Sequence, residues 1–177
     1  TDDGSTDDTA QKVKLLMPHW TNLRIIEKSH AGKAAAVRAG VEAATGDYIL
    51  MMDADGGVAI DQVEILRTKL EESKADIAIG SREGRGAQRI DEPLYRHLLG
   101  RVFNLVIKTF TGLNFEDTQC GFKLFKSSVF KDLSRRSLIM NQQNGRLKSP
   151  LVTAFDVELL VLAKKIGYKT VEVPIIW

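Results

Sequence analysis

Asp47-Tyr48-Ile49-Leu50-Met51-Met52-Asp53-Ala54-Asp55-Gly56 decides how the rest of the chain is read. Five consecutive apolar residues between carboxylates have the pattern of a strand buried on both faces, as in a parallel sheet with helices on either side. Carboxylates at i and i+2 leave such a strand on the same side, so Asp53 and Asp55 can face one cation. They stand beyond the carboxyl end of the strand, where open α/β sheets bind their ligands.

Outward from this segment, helical and strand patterns alternate. Upstream, Gly32 to Ala44 has helical spacing with Val37, Val41 and Ala44 on one face, and Leu23 to Glu27 is a short β-branched run. Ala10, Val13, Leu16, Met17 and Trp20 predict a first helix capped by Thr6 or Asp7. Downstream, Val63, Leu66 and Leu70 mark a helix and Asp76 to Gly80 a strand. This β-α-β-α-β order predicts an α/β fold with a mostly parallel sheet flanked by helices. The second half is less regular. Leu94, Leu98, Val102, Leu105 and Val106 define a long amphipathic helix, Gly121 to Phe125 a strand, and Phe155 to Ile166 a helix stopped by Gly167. Val171, Val173, Ile175 and Trp177 alternate, and Pro174 places that strand at an edge or bulge. The polar stretch from Arg135 to Pro150 has no periodicity and is expected to be a mobile loop.

The chain has 177 residues, enough for one domain with a substantial core. At 44% hydrophobic and 27% charged residues it has the balance of a globular protein, not a disordered one. A net charge of +2 gives no sign of nucleic-acid binding. With Cys120 alone, no intrachain disulfide can form. No apolar run approaches the roughly 18 residues of a membrane span, so the chain itself is expected to be soluble. A turn opens the sequence before any strand, and a strand pattern closes it. Residues 1–177 are therefore expected to be one domain cut at both ends and missing its first strand.

The residues suited to chemistry gather at predicted loops. Few hard oxygens, as at Asp53 and Asp55, suit Mg²⁺ or Mn²⁺ bridged to substrate phosphates; a simple turn is the plainer reading. Asp2, Asp3, Asp7 and Asp8 crowd another loop that opens a helix, where a nucleobase imide or a ribose diol could donate to them. The alternative is a solvated helix cap. Gly32 and Lys33 begin a helix on small neighbours and could hold part of a nucleotide, although the P-loop spacing is absent. Arg82, after Gly80-Ser81, and Arg89 are candidates for neutralising a diphosphate. Asp117, in Glu116-Asp117-Thr118-Gln119-Cys120-Gly121, could orient an acceptor or act as general base. Cys120 reads as a small buried hydrophobe. From Thr118 to Phe155, seven Lys/Arg stand against one acid, Asp132, a balance that could face anionic headgroups.

Together these motifs resemble the family 2 glycosyltransferases with the nucleotide-diphosphosugar (A-type) fold. Within that family they look most like the dolichyl-phosphate β-glucosyltransferases and their bacterial polyprenyl-phosphate relatives. The resemblance runs from Asp2 to Trp177, and rests on Asp53-Ala54-Asp55-Gly56, Gly80-Ser81-Arg82, Asp117 to Phe125, and Phe155-Asp156-Val157-Glu158-Leu159-Leu160. It implies inverting transfer of glucose from UDP-glucose to a polyprenyl (dolichyl) phosphate, at the cytoplasmic face of a membrane. That membrane would be the endoplasmic reticulum in a eukaryote or the plasma membrane in a bacterium. By the same resemblance Asp3 would contact base or ribose, Asp53 and Asp55 the metal and donor sugar, and Asp117 the acceptor.

The family pattern also has an opening strand with a Pro-x-Tyr-Asn-Glu-type turn that this sequence lacks. Ser29-His30-Ala31-Gly32-Lys33-Ala34 departs from a pattern that starts with Asn. Three alternatives stand beside this reading. A mannosyl enzyme using GDP-mannose differs after its Asp-x-Asp. A polysaccharide synthase would need tryptophan where Gln143-Asn144-Gly145-Arg146-Leu147 has leucine. The third is a catalytically dead nucleotide-sugar-binding domain.

Overall fold

A computed structural model describes residues 1–83, 86, 106–141 and 154–177. In chain order the elements are α1 (Thr9–Leu16), α2 (Lys33–Ala43), β1 (Tyr48–Met52), α3 (Val63–Glu72), β2 (Ile77–Ser81), β3 (Phe122–Lys126), α4 (Ser127–Arg136), α5 (Phe155–Ile166) and β4 (Thr170–Pro174). Short 3₁₀ turns at Met17–His19 and Ile60–Gln62 lead out of α1 and into α3.

The strands form one sheet in the order β1-β3-β2-β4. β2 pairs with β4 in parallel, and β3 runs antiparallel to both β1 and β2. Strands β1, β2 and β4 thus share a direction, with β3 inserted against them, so the sheet is mixed. Pro174 lies on β4 at the sheet's end, where its missing N–H breaks no ladder.

The pleat of β3 separates two apolar layers. Phe122 and Leu124 face α3, whose Leu66 and Leu70 are fully buried with Val173 and Ile175; each such leucine contributes about 2 kcal/mol of transfer free energy. Phe125 faces the opposite layer, with Val129, Phe130 and Leu133 of α4 and Phe155, Leu159 and Leu160 of α5. Gly167 ends α5 in the left-handed region at φ 96°.

Several expectations are corrected. Strand β1 is not buried on both faces: among the described residues it is an edge strand, Met51 alone is buried in it, and Met52 is 37% exposed. Its apolar run therefore reflects one packed face and an adjoining cleft lined by Lys33, Val37, Ile49, Met51 and Asp53. Leu23 to Glu27 forms no sheet strand; Glu27 makes a single parallel bridge to Asp2. Helix α1 starts later than predicted, with Asp8 as the capping position and the Asp7 carboxylate accepting the Thr9 N–H at 3.1 Å. The segment read as a loop from Arg135 begins with the end of α4, and its next residues are pinned. Leu138 and Ile139 N–H groups donate to the Glu158 carboxylate, as does the Ser137 hydroxyl. Helix α4 itself went unread. The predicted helix at Leu94, Leu98, Val102 and Leu105 lies outside the described residues; residues 106–111 are helical.

Candidate functional site

The carboxyl ends of β1 and β2 open on one pocket lined by Asp53, Asp55, Arg82, Gln119, Cys120 and Trp177. The chain leaves β1 at Asp53 and turns through Ala54 and Asp55, so a tight turn, not an extended i, i+2 repeat, brings the two carboxylates to the same pocket. The Asp55 carboxylate accepts the Gly57 N–H at 3.0 Å, which sets the turn. Asp53 is seated on the loop before β3. Its N–H donates to the Gly121 carbonyl at 3.0 Å, and a Cβ on residue 121 would fall 2.1 Å from its Oδ2. Only glycine lets this carboxylate lie there.

Lys33, the first residue of α2, reaches Asp53 Oδ1 with its ammonium at 2.6 Å and stands 6.0 Å from the Phe155 ring centroid. The Asp3 carboxylate receives the Ala31 and Gly32 N–H groups, each at 2.8 Å, and lies 2.9 Å from His30 Nδ1. It thereby tethers the first loop to the start of α2, one residue from Lys33. Asp2 folds its own loop, accepting the Gly4 and Ser5 N–H groups and the Ser5 hydroxyl. The Ser5 hydrogen bonds hold its carboxyl below the usual range.

Asp117 is 6% exposed and stands behind Arg82, not in open solvent. Arg82 clasps it with two nitrogens, Nε at 2.6 Å and Nη2 at 3.0 Å, and its backbone N–H adds a third contact at 3.2 Å. From β4, the Glu172 carboxylate accepts the Glu116 and Asp117 N–H groups at 2.9 and 2.8 Å and fixes the loop. Burial would raise the Asp117 carboxyl, but the Arg82 hydrogen bonds and charge outweigh it and hold the group below its ordinary value. It therefore remains an anion, and its first partner is Arg82. Burial pushes the Cys120 thiol up to about 11, with Asp117 adding to the shift, so Cys120 is inert as a nucleophile.

Of the residues expected from sequence, the pocket gathers Asp53, Asp55 and Arg82, with Lys33 in contact through Asp53 and Asp117 through Arg82. Asp2 and Asp3 sit on the neighbouring loop beyond α2. Arg89 lies outside the described residues. Four cations of the basic tract have partners among the described residues, and Arg146 and Lys148 lie outside them. Lys123 is buried on Asp156, Lys126 pairs with Asp76, Lys131 donates to the Ala44 carbonyl and Arg136 pairs with Asp132. Sequence reasoning missed Trp177, whose ring lies 5.3 Å from the Arg82 guanidinium and whose approach is set by Gln62 clasping both backbone groups of Ile176. It also missed Glu172, and it held Lys123 and Asp156 only as members of longer motifs, with no role of their own. A lysine inside the apolar Phe122–Phe125 run was the available signal.

Two carboxylates on one pocket are a donor set that fits a hard divalent cation sharing its remaining positions with phosphate oxygens. Among the described residues no group of three or more His, Cys, Asp or Glu side chains is placed to hold a metal ion.

A helix-flanked mixed sheet with acidic residues just beyond a strand end defines a class: α/β domains whose ligands bind at the carboxyl edge of the sheet. A family model described as glycosyl transferase family 2 matches residues 1–134, and the chain belongs to that family. Among curated relatives, a dolichyl-phosphate beta-glucosyltransferase of Trichomonas vaginalis is 37% identical over 99% of this chain and 50% of its own length. Enzymes of the same name from Dictyostelium discoideum and Homo sapiens are 32% and 31% identical, each over 99% of this chain and 53% and 54% of their own lengths. The chain thus spans about half the length of the curated relatives it matches. Among solved structures, glucosyl-3-phosphoglycerate synthase from Mycobacterium tuberculosis superposes with a TM-score of 0.62 at 18% identity, over 99% of this chain and 57% of that one. S. aureus TarS gives 0.57 at 17%, over 97% and 47%. These two likenesses establish the A-type glycosyltransferase fold.

Proposed function

We propose that this chain forms the donor-binding part of an enzyme that transfers glucose from UDP-glucose to a dolichyl or other polyprenyl phosphate with inversion. The observation that carries the reading is the convergence of Asp53, Asp55 and Arg82 on one pocket. The chain that builds it matches, over 99% of its length, relatives named for glucosyl transfer to dolichyl phosphate. In this reading the acceptor phosphate oxygen attacks the sugar's anomeric carbon from the face opposite the diphosphate. One C–O bond forms as the bond to UDP breaks. The acceptor is already anionic at neutral pH, so no residue has to remove a proton from it.

Asp53 and Asp55 would hold a Mg²⁺ or Mn²⁺ ion, which when bound supplies Lewis-acid stabilisation of the departing diphosphate. Lys33, already on Asp53, adds a cation where donor phosphates gather. Asp117 serves this reaction through Arg82: the bidentate pair fixes a guanidinium at the pocket wall, and the anion stays unprotonated. Asp3, by seating the start of α2, positions Lys33, and Asp2 shapes the neighbouring loop. A lipid acceptor implies work at a membrane surface, on the cytoplasmic face. Among the described residues no helix is long and apolar enough to cross a membrane.

The test is to incubate the full-length protein with UDP-glucose and a short polyprenyl phosphate, following UDP release and the anomeric configuration of the lipid product. Acceptor-dependent UDP release with a β-linked product supports the reading. Release that is independent of lipid phosphate, or a retained α configuration, overturns it.

A further inference from the structure

The most costly group in the described core is one that the proposed chemistry does not use. Lys123 is the second residue of β3 and has no solvent exposure, between Phe122 and Leu124. Its ammonium donates to the Cys120 carbonyl at 2.5 Å and to Asp156 Oδ1 at 2.8 Å, and Asp156 is itself 5% exposed. An ion pair withdrawn from water this completely is poor value as a source of stability, since hydrophobic side chains of similar volume often do as well or better. What this pair holds lies next to the site.

From Lys123 one route runs through the Cys120 carbonyl to Gly121, whose own carbonyl accepts the Asp53 N–H and whose bare Cα seats the Asp53 carboxylate. From Asp156 a second route runs through its neighbour Phe155, whose ring faces the Lys33 ammonium that pairs with Asp53. Both routes begin at the Lys123–Asp156 pair and end on the same carboxylate. We infer that the buried Lys123–Asp156 pair is a positioning device that ties the start of α5 to the Cys120–Gly121 turn and so fixes Asp53 at the donor pocket. The inference rests on the reading that Asp53 serves donor binding. Neither Lys123 nor Asp156 touches substrate; both act through Gly121 and Lys33.

The test uses the full-length protein with Lys123→Met and Asp156→Leu combined, so that neither charge is left unpaired. Asp53→Asn is run beside it. Thermal melting, calorimetric affinity for UDP with Mn²⁺, and glucosyl transfer are measured on each. The double variant is expected to melt within a few degrees of the parent, yet to lose transfer by roughly 10²-fold, as misplacement of a site group by about 1 Å does. Its UDP–Mn²⁺ affinity should fall by about tenfold or more as that seat loosens. Normal affinity and transfer in a folded double variant, with Asp53→Asn impaired, overturn the positioning role alone. Normal behaviour of Asp53→Asn overturns the donor-site reading and the inference with it. If the double variant does not fold, Asp156→Asn decides instead, because it keeps the shape and an acceptor oxygen for Lys123. A loss of affinity and transfer in that folded variant supports the role, and unchanged values overturn it.

Discussion

At the scale of single residues, the site is a set of carboxylates with different partners. Asp55 lies on the pocket with only a turn N–H on its carboxylate among the described contacts, whereas Asp117 is enclosed by Arg82 and its own loop. Asp55→Asn is therefore expected to leave melting nearly unchanged and to cut turnover by roughly 10² or more, the usual weight of a cation ligand. Steady-state UDP release with and without chelator checks it, and full activity in excess chelator would remove the cation from the reaction. Asp117→Asn should behave differently, because it breaks a largely buried bidentate pair. A loss of about 2–3 kcal/mol in stability is expected, allowing for the partial exposure of Arg82, together with a fall in transfer. The pH dependence follows from the depressed Asp117 carboxyl. Its stabilisation is fully present above the unfolded value of about 4 and is lost as pH falls through the lower folded value. The melting-temperature gap between parent and Asp117→Asn should thus stay constant near neutrality and narrow below about pH 4. A gap that persists unchanged in acid would show that the pair does not titrate as described.

At the scale of elements, α3 and the pocket lie on one side of the sheet but do different work. Leu70 of α3 is 1% exposed, packs in the layer under Phe122 and Leu124, and does not itself line the pocket. Leu70→Ala should cost about 2–5 kcal/mol in denaturant unfolding, the range for cavities in close-packed cores, and leave the UDP affinity of the folded protein unaltered. A matching loss of affinity would mean that α3 carries the pocket and not merely the sheet. Gly121→Ala tests the reverse case. Its Cβ would collide with the Asp53 carboxylate, so donor affinity should fall far more than melting temperature, read by calorimetry and thermal melting on one sample.

At the scale of the whole molecule, the open question is which nucleotide the assembled site prefers. The resemblance alone implies uridine, and calorimetry on the full-length protein is expected to show UDP binding more tightly than GDP, strengthened by Mn²⁺ or Mg²⁺. Equal or tighter GDP binding would move the assignment to mannosyl transfer. Much of the fold could be read before any coordinates. The periodicity at Val63, Leu66 and Leu70, the stop at Gly167 and the run ending at Met52 are local signals, and each marks a helix or strand where one stands. These features depend on neighbours within a turn or two, through backbone sterics and the alternation of side chains. The location of Asp53, Asp55 and Arg82 at strand ends was legible for the same reason. Tertiary structure alone decided that β3 enters between β1 and β2, which among the described residues leaves β1 an edge strand despite its apolar run. It alone decided that Asp117 faces Arg82 across 35 residues and that Lys123 meets Asp156 across 33. Such pairings turn on which distant groups the closed chain brings within hydrogen-bond reach and away from water. No local preference of a lysine or an aspartate encodes that distance.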